Sequence, residues 1–101
     1  MRNYLVGCYG TVGIYDYGFV HQNWWPVSKE IKFRAKNTRN AKKRFRKIIK
    51  EVEKNPQKLF GTVDDDYYQN RVESVGISLF REDRHADDER GEKLMYELLE
   101  F

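Results

Sequence analysis

The sequence predicts an α+β fold in two layers: a largely antiparallel sheet with two helices packed on one face. Three observations predict it. Apolar residues alternate with period two from Tyr4 to Val20, and again from Val27 to Lys36. A stripe with the helical period follows at Ala41, Phe45, Ile48, Ile49 and Val52. Alternation then returns at Val75, Ile77 and Leu79. Period two puts successive side chains on opposite faces of a strand, and a period near 3.6 lines them along one side of a helix. For a chain of 101 residues, a single α+β domain over residues 1–101 is the natural unit.

In the first alternating run, Tyr4, Val6, Cys8, Val12 and Ile14 fall on one side, and Leu5, Tyr9, Thr11, Tyr15, Tyr17 and Phe19 on the other. The aliphatic side is the expected core. The tyrosine side is expected either to face solvent or to lie under a C-terminal helix. Gly7, Gly10 and Gly13 mark bends or bulges. Asp16-Tyr17-Gly18 supplies turn chemistry and predicts a hairpin. The second strand then runs into a loop or edge at His21-Gln22-Asn23-Trp24-Trp25-Pro26, where two adjacent tryptophans face opposite ways.

A third strand is expected over residues 27–36. Val27, Ile31, Phe33 and Ala35 point inward, and Ser28, Glu30, Lys32, Arg34 and Lys36 point outward. Asn37 or Thr38 caps the helix that follows, and Asn55-Pro56 ends it. Lys58 to Val63 reads as extended. Asp64, Asp65 and Asp66 with Gln69-Asn70 read as a turn before a strand from Arg71 to Arg81. Leu94, Met95, Leu98 and Leu99 recur at i, i+1, i+4 and i+5, which predicts a second helix opening near Asp87. The expected order is β-β-β-α-β-β-α.

An aromatic share of 15% argues against a disordered chain. With one cysteine, Cys8, no intrachain disulfide forms. A lone thiol fits a reducing compartment, so a cytoplasmic location is expected. The first residues do not read as a signal peptide, and no run approaches the ~18 apolar residues of a membrane span, so no membrane association is expected.

Charge is strongly polarised along the chain. Residues 1–60 carry 14 Lys/Arg against 4 Asp/Glu, and residues 61–101 carry 5 against 12. This implies either an anionic partner for the first half or mutual neutralisation of the halves in the fold. The helix displays Arg39, Lys42, Lys43, Arg46 and Lys50 away from its apolar stripe. At spacings of three and four these like charges repel. Several of them crowd the N-terminal half, where the helix dipole is already positive. Repeated violation of a local stability rule points to function. Lys32 and Arg34 on the preceding strand are expected to extend the patch. Tyr9, Tyr15, Tyr17 and Trp24 are candidate aromatic contacts, for stacking on bases or anchoring a protein.

The leading expectation is therefore a non-catalytic binding protein whose basic helix face, residues 39–50, contacts a polyanion, above all nucleic acid. The alternative partner is an acidic surface of a nucleic-acid enzyme, blocked by an inhibitor of the phage or mobile-element kind (anti-restriction or anti-CRISPR type). A third class is a metal-dependent enzyme using the aspartates at 64–66 or the group Asp83, His85, Asp87 and Asp88. No phosphate loop, dinucleotide fingerprint or paired Cys/His ligand spacing is present. No catalytic residue, cofactor or metal is assigned, and the sequence carries no indication of oligomeric state.

Overall fold

The computed structural model describes residues 1–16, 21–61, 68–82 and 91–101. Four strands form one antiparallel sheet: β1 (Arg2–Asp16), β2 (His21–Ala35), β3 (Tyr68–Arg81) and β4 (Glu92–Glu100). Their order across the sheet is β2-β1-β3-β4. Two helices, α1 (Thr38–Lys54) and the short α2 (Pro56–Phe60), lie between β2 and β3 in sequence and pack against the sheet. The two-layer α+β class is as expected, with element order β-β-α-α-β-β. A strand of 15 residues at about 3.3 Å per residue reaches roughly 50 Å. That length accounts for the long molecular axis of 49 Å.

The core lies between the sheet and α1. Tyr4, Val6, Cys8 and Val12 of β1 and Val75, Ile77 and Leu79 of β3 meet Ala41, Phe45, Ile48 and Val52 of α1 in one buried cluster. The inward sides of the alternation and the helical stripe are those expected. Tyr4 is fully buried, stacks on Phe33 with centroids 5.7 Å apart, and its hydroxyl lies 3.3 Å from Thr38 Oγ1. A buried tyrosine thus keeps a polar partner at the start of α1.

Asn37 caps α1, its side chain accepting from Asn40 N at 2.9 Å. Asn55 ends α1, and its side chain accepts from Lys58 N at 3.2 Å to start α2. Pro56 suits the first turn of α2, where its missing N–H costs nothing. Gly61, at φ 66°, closes α2 in the left-handed conformation. This short helix replaces the extended segment expected from Lys58. At Gly10 an added Cβ would sit 2.9 Å from the Phe60 ring and 2.9 Å from Ser74 O. Glycine here lets α2 dock directly on the sheet.

Three expectations are corrected. The separate second and third strands are one strand, β2, running through Trp24-Trp25-Pro26. β2 lies at the sheet edge, where a proline gives up an N–H that has no strand to pair with. The C-terminal segment is strand β4, not a helix. Its apolar residues divide between the two sheet faces, and pairing with β3 overrides the local pattern. The bulges do not sit at the glycines: register shifts leave Glu73 of β3 and Leu94 of β4 without a direct cross-strand partner. The turn at residues 17–20, with Tyr17, and the aspartate groups at 64–66 and 83–88 lie outside the described residues.

Candidate polyanion-binding site

Each α-helical residue advances about 100° around the axis. Taking Ala41 as zero, the buried residues Ala41, Phe45, Ile48 and Val52 occupy one narrow arc. On the same wheel Arg39, Lys43, Arg46, Lys47, Lys50 and Lys54 share an arc of about 100° on the opposite side. All six are exposed. The cationic row therefore faces away from the sheet, along about 22 Å of helix at 1.5 Å per residue. The first turn of α1 holds no acidic residue. Among the described residues, none of the six makes an ion pair. An ion pair does join Lys32 Nζ to Glu82 at 3.8 Å, on the far side of the sheet.

The residues singled out in the sequence divide accordingly. Arg39, Lys43, Arg46 and Lys50 stand together on the outer face of α1. Lys42 is half-buried at the flank of the row. Lys47 and Lys54 belong to the row and were missed, although the same 100° increment finds them. Arg44 lies to the other side, its guanidinium 5.2 Å from the Phe33 ring centroid. Lys32 and Arg34 do not extend the patch. They alternate with Ile31, Phe33 and Ala35, whose side chains face the helices, so they point to the other face of the sheet.

That other face carries no helix among the described residues. Tyr9, Trp24, Tyr96 and Leu98 stand on it, each more than half exposed. Gly7, Ser74, Gly76 and Ser78 form a shallow floor between Tyr9 and Tyr96. Lys93 Nζ sits 5.6 Å from the Tyr96 ring centroid. At one end Glu73 accepts a hydrogen bond from Tyr15 Oη and another from Trp24 Nε1 at 2.9 Å. This carboxylate holds the Tyr15 phenol proton and raises its pKa, with desolvation and the negative charge itself adding to the shift. Trp25 emerges on the opposite face and is also exposed. Among the described residues no helix covers the expected tyrosine side, and β4 continues it instead of capping it. Because the aromatic and cationic surfaces lie back to back, a single flat ligand cannot touch both.

Cys8 is buried in the core. Desolvation pushes its thiol up to about 11, only partly opposed by the nearby Lys29 charge. A thiol so protonated is a poor nucleophile at neutral pH. Among the described residues no group of three or more His, Cys, Asp or Glu is placed to hold a metal ion. Nor is any helix among them long and apolar enough to cross a membrane. No family model, no curated protein and no solved structure matches this chain.

Proposed function

We propose that this protein is a binding protein that holds a polyanion, nucleic acid in the first instance, on the outer face of α1. One observation carries the reading: six cations gathered opposite the buried stripe, none of them in an ion pair among the described residues and none with an acid in the first turn of the helix. Six like charges at spacings of one, three and four residues repel one another, and the helix dipole adds to the cost near the N-terminus. A row of phosphates relieves both penalties. Contacts of this kind recognise charge and not bases, so the binding is general for sequence.

The test is binding of a labelled duplex followed by fluorescence anisotropy across a salt series. About three to five phosphate contacts give a slope of about −3 to −4.5 in log affinity against log salt. The double variant Lys43→Glu with Arg46→Glu weakens binding to all sequences alike and leaves the fold intact, since both side chains are exposed. Salt-independent binding, or unchanged affinity in the double variant, refutes the reading. If the duplex does not bind but the double variant loses a protein complex, the row serves an acidic protein surface instead.

A further inference from the structure

A second recognition site lies beside α1, in a groove between its C-terminal half, α2 and the edge strand β2. Ile31, Ile48, Val52 and Leu59 give it an apolar floor, and its volume is about 490 Å³. Three lysines line it: Lys29 from β2, Lys54 from α1 and Lys58 from α2. Against them stands one carboxylate among the lining residues, Glu51.

Lys29 is the anomaly. Along β2 the residues facing the helices are Val27, Lys29, Ile31, Phe33 and Ala35, and four of the five are apolar. Lys29 pairs with Cys8, a core residue of β1, and its charge acts on the Cys8 thiol. A strand that only closed a core would carry an aliphatic residue there. Instead a cation stands at the groove, within reach of two more contributed by separate elements. Only the tertiary structure brings the three together.

We propose that this groove docks an acidic amphipathic segment of a protein partner. Charge complementarity selects the occupant: three lysines beside an apolar floor match a segment whose apolar side chains enter the groove and whose carboxylates meet the rim. The conformation follows from the sheet. Among the described residues β2 is an edge strand paired with β1 alone, so its outer backbone edge lies alongside the groove. An extended segment pairs with that edge while its alternate side chains fill the groove, as in strand addition generally. Pro26 interrupts the donor row near one end of β2, which places the pairing along residues 27–35. The site is distinct from the outward row of α1 and shares Lys54 with it.

The probe is an eight-residue peptide alternating leucine and glutamate, titrated into the full chain and followed by backbone amide NMR shifts. The expected shifts concentrate at Lys29, Ile31, Val52 and Leu59. The variants Lys29→Glu and Lys58→Glu, both at exposed positions, each weaken the peptide about tenfold. The same peptide with lysine in place of glutamate does not bind. Lys43→Glu with Arg46→Glu leaves peptide affinity within about twofold, because those residues lie on the outer face. Duplex binding is likewise little changed by Lys29→Glu, so failure of this site and failure of the polyanion site read out separately. Equal binding of the acidic and basic peptides, shifts confined to the Tyr9 and Tyr96 face, or equally Lys29-dependent binding of dodecanoate would each overturn the proposal.

Discussion

The two faces of the sheet are built from alternate residues of the same strands, yet they do opposite things. On the covered face, Val6, Cys8, Val75, Ile77 and Leu79 are almost wholly removed from water by α1. On the open face the same two strands carry Gly7, Tyr9, Ser74, Gly76 and Ser78. At one end of this face the cross-strand pair Leu5 and Phe80 is buried, whereas Tyr9 further along is left exposed. The Tyr96 hydroxyl and ring lie within 3.1–3.6 Å of where a Cβ on Gly76 would be. An aromatic ring thus shields a glycine backbone that has no side chain of its own. Most of the buried apolar area lies on the covered face, where α1 closes the core. The other face retains exposed aromatics because no helix among the described residues covers it.

The contrast breaks most sharply at Phe45. This side chain is fully buried at the centre of the α1 stripe. Phe45→Ala is expected to cost about 3–5 kcal/mol, enough to unfold a small domain or drop its Tm by tens of degrees. A Tm unchanged within error would mean that α1 does not hold the sheet.

Alkaline titration tests the covered face again, with a smaller effect. The Cys8 thiol is pushed up from 9.0 to about 11 by burial. The folded state therefore holds its proton more tightly than the unfolded state. This contribution to stability is fully present below pH 9 and is lost as pH rises toward 11. Cys8→Ala should flatten the fall of Tm over that window, and thiol reagents should label the native protein slowly at neutral pH. Rapid native labelling would place Cys8 in solvent.

On the open face, Glu73 offers a spectroscopic probe. Its carboxylate raises the Tyr15 pKa chiefly through their hydrogen bond. In Glu73→Gln the negative charge is gone, so Tyr15 ionises at lower pH, and the Trp24 indole loses a carboxylate partner. An ultraviolet titration of the tyrosines should show one component moving downward, with a change in tryptophan emission. Identical titration curves for the two proteins would separate Glu73 from both rings.

The smallest effect is expected at Tyr9, which is 66% exposed. Tyr9→Ala should change stability by about 0.5 kcal/mol or less, an order of magnitude below Phe45→Ala. A loss of several kcal/mol would show that the open face is covered after all.

Much of the architecture was readable before the structure. The helical stripe from Ala41 to Val52, the cap at Asn37 and the stop at Asn55-Pro56 are local features, governed by periodicity and by backbone donors within a few residues. The inward and outward sides of β1 follow from alternation alone. Where reading failed, the local signal was ambiguous. Leu94, Met95, Leu98 and Leu99 satisfy a helical spacing, but they equally supply apolar residues to both sides of a strand, and the available edge of β3 decides between them. Trp25-Pro26 resembles a break because proline lacks a donor, and only the position of β2 at the sheet edge makes that harmless.

The same division runs through the candidate sites. By itself the sequence determined the outward row on α1, because an α-helix places residues three and four apart side by side wherever it sits. It also determined which side of β1 is apolar. Tertiary structure alone decided that Lys32 and Arg34 lie across the sheet from that row, and that the aromatic and cationic surfaces are back to back. It alone brought Lys29, Lys54 and Lys58 together around one apolar groove. Those relations depend on which strand takes the edge and which face the helices cover. Alternation marks which side of a strand is buried, but which strands pair and which one takes the edge are set by long-range contacts that leave no periodic mark in the chain.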